Sequence, residues 1–240
     1  MRKKLLVSLT STRERLGLLH LSLDSICRQS REPDEVHLYL SREAYLFDEG
    51  VKEIPASAQD AIDRNGVLVH WVPNTGPYRK LLPLLRERRD VLIVTIDDDT
   101  KYPSWTLNRL EKGFKKHGGI VAIRGRRVIY KHGEPEPYPK WPYVDRPSAS
   151  VLHYPIGQSG ILYDPQRLPE EIFDPAAMDL SPSACEPWFH LIARKAEIPA
   201  YIFGSSFPLT RQYERCLWSL NRRKNAGHLK AVANYLGVKL

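Results

Sequence analysis

Short apolar runs alternate along the chain with segments in which apolar residues recur every three or four positions. The apolar runs predict strands over residues 3–10, 36–40, 66–72, 91–96, 120–130, 156–163 and 201–203. The other segments predict helices over residues 15–29, 78–88, 103–116 and 181–196, and from residue 210 onward. Strands that alternate with helices are typical of a mostly parallel sheet with right-handed crossovers. We therefore expect an α/β fold with a doubly wound, mostly parallel central sheet and helices on both faces.

Three consecutive aspartates, Asp97, Asp98 and Asp99, follow the apolar run at residues 91–96. That run is apolar at every position but one, which predicts a strand buried between two helical layers. Ligands of open α/β sheets bind outside the carboxyl ends of the strands. Three adjacent anions repel one another, so a divalent cation is the natural partner for the triplet. A solvated acidic turn before a helix that starts at Pro103 is the alternative.

Prolines modify this pattern in two places. Pro83 falls inside the helix predicted over residues 78–88, so we expect a kink or a second helix start there. Residues 132–150 are dense in proline and aromatic residues, and they predict a long loop over the rim of the sheet. Its aromatic side chains are costly to leave in water. A lid over an acceptor and a surface loop without substrate contact are both open interpretations.

Composition narrows the class of protein. The 240 residues carry a formal net charge of +8, which indicates an anionic partner such as a phosphate, a nucleic acid or an acidic membrane surface. No run of about 18 apolar residues is present to span a bilayer, and the apolar run at residues 5–9 is too short for a secretory signal. The three cysteines lie far apart without metal-ligand spacing, so a cytoplasmic protein is expected.

Four blocks of the sequence resemble the family 2-like glycosyltransferases of the GT-A fold, of the type that builds bacterial surface polysaccharides. The blocks are VSLTSTRERL with PDEVHLYLS, then GPYRKLLPLL, then VTIDDDTKYP, then IGQSGILYDPQRL with ACEPWFHLIARKAEIP. They cover most of residues 4–202 in the family's order. The resemblance implies a GT-A catalytic domain over residues 1–205, with a donor-binding half up to about residue 103 and an acceptor half from residue 104. Residues 206–240 would be a basic helical extension.

The resemblance also implies a reaction. A sugar, of the hexosyl type, would move from a nucleotide-diphosphate donor, with a UDP-sugar favoured, to a polysaccharide, lipopolysaccharide or lipid-linked acceptor. A Mn²⁺ or Mg²⁺ ion would neutralise the charge that develops on the leaving diphosphate. Asp99 and Asp97 would hold that ion, with Asp97 close to the ribose or a metal-bound water. Asp98 would belong to the donor-binding residues, without an individual role. His228 would complete the metal site, and a solvated surface histidine is its alternative.

Five further residues would bind the donor by the same resemblance. Thr10, Ser11 and Ser41 stand at the ends of the first two strands, where they would meet the nucleoside. Lys80 and Arg13 would neutralise the phosphates, and Arg13 is equally well explained as a solvated residue at a helix start.

An inverting transfer needs a general base beside the acceptor hydroxyl. Glu186 is the candidate, because it stands where the family has an acidic pair at the start of the helix after the acceptor loop. Here the pair is replaced by Cys185-Glu186, so only one carboxylate remains. A carboxylate that merely stabilises a helix N-terminus is the alternative for Glu186.

Two other function classes compete with the transferase. A phosphatase of the haloacid dehalogenase type needs an Asp-x-Asp-x-Thr order near the first strand, and the position of the triplet argues against it. A nucleic-acid-binding protein is indicated by the basic charge and by the arginines within residues 124–127. The same charges would serve a lipid-linked acceptor, with peripheral contact at the inner face of an anionic membrane. Nucleic acid is therefore the less expected partner.

Overall fold

The computed structural model describes residues 3–204 and 217–240. Within them the strands are β1 Leu5–Thr10, β2 Glu35–Leu40, β3 Leu68–Trp71, β4 Leu92–Thr95, β5 Ile120–Ala122, β6 Gly125–Arg127, β7 Tyr130–Lys131, β8 Glu134–Pro135, β9 Ser148–Ser150, β10 His153–Pro155, β11 Ile161–Tyr163 and β12 Ala200–Ile202. The helices are α1 Leu19–Cys27, α2 Ala56–Arg64, α3 Leu82–Glu87, α4 Thr106–His117, α5 Ala176–Leu180, α6 Glu186–Lys195 and α7 Leu217–Leu236.

Eight strands of the described ranges form one central sheet, in the order β3-β2-β1-β4-β11-β5-β12-β9. The strands β3, β2, β1 and β4 pair in parallel, and so do β5 and β12. Strand β11 is antiparallel to both β4 and β5, and β9 is antiparallel to β12. Six strands therefore run in one direction, which confirms the mostly parallel sheet. The chain order reverses between β1 and β4, and a crevice opens at the carboxyl ends of the strands at such a point.

The side chains of β1 and β4 alternate between two hydrophobic clusters on opposite faces of the sheet. Leu6 and Ile93 pack into the cluster that contains helix α6. Val7 and Val94 pack into the other, with α1 and α4. Because all of these side chains are fully buried, the two strands form the rigid centre of the molecule.

Several predicted elements are divided in the structure. The helix predicted over residues 78–88 is a 3₁₀ turn, Gly76–Lys80, followed by α3 with Pro83 in its first turn. The strand predicted over residues 120–130 ends at Ala122 and resumes as β6, which pairs with β10 outside the central sheet. The predicted C-terminal helix is present as α7, and its residues 210–216 lie outside the described ranges.

The proline-rich loop is packed onto the domain by its aromatic residues. Trp141 is fully buried, its indole N–H donates to the Glu136 carbonyl (2.7 Å), and its ring meets Tyr138 edge-on at 5.0 Å between centroids. Tyr143 is half exposed. The loop is thus an ordered wall, with one aromatic ring left open to solvent.

Candidate active site

A cavity of about 520 Å³ opens at the carboxyl ends of β1 and β4. The two buried strands end on polar residues at the edge of the sheet, β1 at Thr10 and β4 at Thr95. The acidic triplet follows directly after Ile96. Seven of the candidate site residues named from the sequence line this cavity: Thr10, Ser11, Lys80, Asp97, Asp98, Asp99 and Glu186. Gly157, from the sequence block IGQSGILYDPQRL, lines it as well.

Asp98 joins the end of β4 to the segment that follows β1. Its carboxylate accepts from the Ser11 hydroxyl (2.5 Å) and from Arg15 Nη1 (2.8 Å), and the side chain is almost fully buried. Arg15 Nη2 donates to Asp99 Oδ2 (2.6 Å), so one guanidinium bridges two carboxylates. Burial raises the pKa of Asp98, and the Arg15 charge and the Ser11 hydrogen bond act against that rise. Asp98 and Arg15 therefore hold the shape of the acidic turn.

Lys80 lies between the acidic turn and the start of α6. Its ammonium is 3.2 Å from Asp97 Oδ1 and 3.3 Å from Glu186 Oε1, and the residue is buried. Burial alone would lower the pKa of Lys80, but the carboxylates of Asp97 and Glu186 raise it well above its ordinary value. Lys80 is thus a buried cation in contact with one carboxylate of the acidic turn and one of α6.

The backbone of Gly157 lies against the charged groups of Lys80 and Glu186, with no side chain in between. A Cβ at this position would meet Glu186 Oε1 at 2.6 Å and Lys80 Nζ at 2.9 Å. The hydroxyl of Tyr102 fixes the covering segment, because it accepts from the Asp97 N–H (2.9 Å) and donates to the Gln158 carbonyl (3.0 Å). The sequence block IGQSG therefore needs its first glycine for the approach of the protein's own charged groups.

Repulsion within the triplet affects the pKa of Asp99. Its oxygens accept from Arg15 and, at 3.3 Å, from the Thr100 hydroxyl. Burial and the neighbouring charge of Asp97 nevertheless raise the pKa of Asp99 to about 6, against the effect of Arg15. One bridging arginine therefore leaves excess negative charge at this turn, which a further cation would relieve.

Asp97 and Asp99 fit a Mn²⁺ or Mg²⁺ ion that takes its remaining ligands from substrate and water. Such ions are commonly held by one or two carboxylates together with substrate phosphates. Across residues 3–204 and 217–240, no three side chains of His, Cys, Asp or Glu are grouped to hold a metal ion by themselves. In the described part of the chain, such an ion would therefore take no more than two of its ligands from these side-chain types.

Three predicted site residues are not brought to the cavity. Arg13 makes an exposed ion pair with Glu49 (3.1 Å), because the turn after β1 directs it to solvent. Ser41 is buried, and its hydroxyl accepts from the Glu43 N–H (3.2 Å) within its own turn. His228 lies three residues beyond Asn225, the last position of α7 that lines the cavity, and its pKa is lowered by burial. These three predicted roles have no support in the geometry.

Arg79 is a lining residue that the sequence reasoning missed. It is 2% exposed, and its Nη2 donates to Asp48 Oδ2 (2.9 Å) and to the Ser11 carbonyl (3.4 Å). Its Nε and Nη1 have no hydrogen-bond partner among the described residues. Buried donors are nearly always satisfied, so these two are available to a ligand. The sequence could have indicated Arg79 as a second basic candidate, because it directly precedes Lys80 in the block GPYRKLLPLL.

Helix α7 adds two asparagines that sequence reasoning also missed. Asn221 is held by Ser183 through two hydrogen bonds of 2.7 and 2.8 Å. Asn225 lines the cavity one helical turn later, is 7% exposed, and its Oδ1 has no partner in the part of the chain that is described. An unpartnered amide oxygen in a cavity is suited to accept from a sugar hydroxyl.

Comparison of the sequence with protein-family models and with curated proteins gives no match. Solved structures do match. S. aureus TarS 1–349 in complex with UDP-GlcNAc has a TM-score of 0.56 and 13% identity over 90% of this chain and 61% of that one. Glucosyl-3-phosphoglycerate synthase from Mycobacterium tuberculosis, in complex with Mn²⁺, UDP and glucosyl-3-phosphoglycerate, has a TM-score of 0.54 and 15% identity over 99% and 80%. A 4-diphosphocytidyl-2C-methyl-D-erythritol synthase from Anaerococcus prevotii has a TM-score of 0.51 and 14% identity over 98% and 99%.

These likenesses show the fold. The chain has the GT-A-type α/β fold that nucleotide-sugar transferases share with related nucleotidyltransferases, which confirms the resemblance at that level. It spans about three fifths of the TarS fragment. None of the helices in the described ranges combines the length and hydropathy that a membrane crossing requires.

Proposed function

Because the chain has the fold of nucleotide-sugar transferases, we propose that it transfers a sugar from a nucleoside diphosphate donor, with UDP-sugars favoured, to a glycan or lipid-linked acceptor. One observation carries the proposal. The acidic turn after β4 and Glu186 of α6 line the same cavity, with Lys80 in contact with both. This arrangement supplies groups for a diphosphate on one side and a base on the other.

The donor binds against the carboxyl ends of β1 and β4 in this proposal. The buried guanidinium of Arg79 directs its two unused donors to acceptors of the nucleotide, and Lys80 faces the diphosphate. A Mn²⁺ or Mg²⁺ ion held by Asp97 and Asp99 would neutralise the charge that accumulates on the leaving diphosphate. Lys80 adds a fixed positive charge to the same region, since its pKa is raised well above the ordinary value.

Glu186 is proposed as the general base. The acceptor hydroxyl oxygen forms a bond to the anomeric carbon of the donor, its proton moves to the Glu186 carboxylate, and the bond from the anomeric carbon to the diphosphate breaks. A single displacement of this kind inverts the anomeric configuration. Lys80 positions the carboxylate at 3.3 Å and retains Asp97 as a partner once Glu186 has taken the proton.

A thermal-shift panel of nucleoside diphosphates with and without Mn²⁺ tests the donor class. We expect UDP to raise the melting temperature, and Mn²⁺ to increase the shift, since a ligand of the folded state stabilises it. Asp99→Ala should abolish the part of the shift that depends on metal. Lys112→Met, an exposed cation on α4, is the control and should leave the shift unchanged.

Glu186→Gln separates binding from chemistry. The variant should keep the UDP-dependent shift and lose sugar transfer, because the amide binds no proton at neutral pH. Normal transfer by Glu186→Gln would show that the base is another group.

A shift with CTP and a sugar phosphate but with no nucleoside diphosphate would favour a nucleotidyltransferase. Salt-sensitive binding of nucleic acid without any nucleotide shift would favour the nucleic-acid interpretation.

A further inference from the structure

Arg124, Tyr138, Tyr143 and Tyr154 also line the cavity, and we call these four residues its second wall. Arg124 is tied to the segment that covers the base. Its N–H donates to Ser159 Oγ (3.1 Å), and its carbonyl accepts from the Ile156 N–H (3.1 Å). These two hydrogen bonds join the backbone of Arg124 to the segment that contains Gly157, whose missing side chain leaves room for Glu186.

Two guanidinium groups share one aromatic ring at this wall. The guanidinium carbon of Arg126 is 3.9 Å from the centroid of the Tyr143 ring, and that of Arg124 is 4.9 Å from it. Among residues 3–204 and 217–240, no carboxylate forms an ion pair with either arginine, although the chain has 28 acidic residues. The two cations therefore sit together without the acidic partner that usually compensates such a pair.

The two arginines differ in what remains available to a ligand. Arg126 donates through Nη1 to the Trp141 carbonyl, which ties it to the proline-rich loop. Arg124 lines the cavity, and its side chain has the Tyr143 ring as its only partner in the described ranges. Stacking uses the face of a guanidinium and leaves its N–H edge free, in the fork that matches a carboxylate or a phosphate.

We infer that Arg124 binds an anionic group of the acceptor, a phosphate or a carboxylate, beside the half-exposed Tyr143 ring. The acceptor is then an anionic saccharide unit, and its charge holds it in the cavity that Glu186 also lines. The inference rests on the proposed function, because only a transferase has an acceptor to bind. The loop of residues 132–150 is, on this account, a wall of the acceptor site.

Calorimetric titrations of three small probes test the inference. Glucose 6-phosphate, glucuronic acid and glucose are each titrated into the protein at saturating UDP and Mn²⁺, so that the diphosphate region is already filled. We expect at least one of the two anionic probes to bind tenfold or more tightly than glucose. The tighter of them identifies phosphate or carboxylate as the group that Arg124 binds.

Variants separate Arg124 from the general charge of the surface. Arg124→Gln should remove the preference for the anion, about a tenfold loss, and Arg124→Lys should restore only part of it because the fork is gone. The control is Arg127→Gln, a neighbouring exposed arginine outside the cavity, which should keep the preference. Melting temperatures of all variants without ligand should match the wild type.

Equal binding of the anionic probes by Arg124→Gln and wild type, or a wild-type preference for glucose, would overturn the inference. Failure of UDP to bind the wild type would instead count against the proposed donor site. The dependence of probe binding on Arg124 is still measured in that case, so the two failures are distinct.

Discussion

Replacement of Arg15 by glutamine tests whether the acidic turn depends on a cation of the protein's own. The guanidinium contacts Asp98 at 2.8 Å and Asp99 at 2.6 Å, and its side chain is 22% exposed. Breaking a buried ion pair costs about 3–5 kcal/mol, because the remaining charge has no partner. Since Arg15 keeps some contact with water, we place the loss at about 3 kcal/mol, the lower end of that range.

The loss in stability converts to a melting temperature through the unfolding entropy. At about 2.1 cal/mol/K per residue, a chain of 240 residues has an unfolding entropy of about 0.5 kcal/mol/K, so 3 kcal/mol corresponds to about 6 °C. Mn²⁺ should recover part of this loss, because Asp99 then has no competing guanidinium. The melting temperature of Arg15→Gln should therefore rise more with Mn²⁺ than that of the wild type.

Scanning calorimetry in EDTA and in Mn²⁺ measures both quantities. Arg13→Gln is the matched control, since Arg13 lies two residues earlier and makes an exposed pair that contributes little to stability. If Arg15→Gln and Arg13→Gln melted at the same temperature, the bridging role of Arg15 would be wrong. If Mn²⁺ stabilised both variants equally, Arg15 and the metal would not share Asp99.

Two further predictions concern buried groups. Arg79→Lys keeps the charge beside Asp48 but loses the Nε donor and the fork, so the dissociation constant of UDP should rise about tenfold, and an unchanged constant would exclude Arg79 from the nucleotide site. Burial lowers the pKa of His190 from 6.5 to about 3, so the folded state stays neutral while the unfolded state takes up a proton below pH 6.5. Stability should then fall by about 2 kcal/mol between pH 7.5 and pH 5 in urea titrations. His190→Asn should flatten that dependence, and an equal fall in the variant would exclude His190 as its source.

The centre of the site was predictable because its determinants are local. Residues 91–96 are apolar at every position but one, which predicted a buried strand with the aspartates at its carboxyl end. Lys80 and Glu186 were found through the sequence blocks in which they stand. The structure brings both to one cavity, with Lys80 in contact with Asp97 as well.

The remaining site residues depend on contacts between distant parts of the chain. Arg15 is 83 and 84 residues away from its two partners, and no periodicity reports that pairing. Arg79 and Lys80 are adjacent cations, and only the fold of the segment that carries Asp48 decides that Arg79 is buried beneath it. Ser41 is kept from the cavity for a similar reason, because the chain turns back after it and the Val51 N–H donates to the Ser41 carbonyl (2.8 Å).

Helix α2 was missed because its buried face is small. Only Ala58, Ala61 and Ile62 are buried in it, and two alanines give a weak apolar signal. Helix α7 was predicted as part of a basic helical extension, whereas its contribution to the cavity comes from Asn221 and Asn225. The composition of a helix indicates the character of its exposed face more readily than the identity of the few residues that it buries.

The most direct test of the central claim is a calorimetric titration of the wild-type protein with UDP, in Mn²⁺ and in EDTA. A nucleotide-sugar site formed by the acidic turn and Lys80 predicts one UDP per chain, bound more tightly with Mn²⁺ than without it, and competition by a UDP-sugar for the same site. The absence of heat with UDP and with every other nucleoside diphosphate, in both conditions, would contradict it.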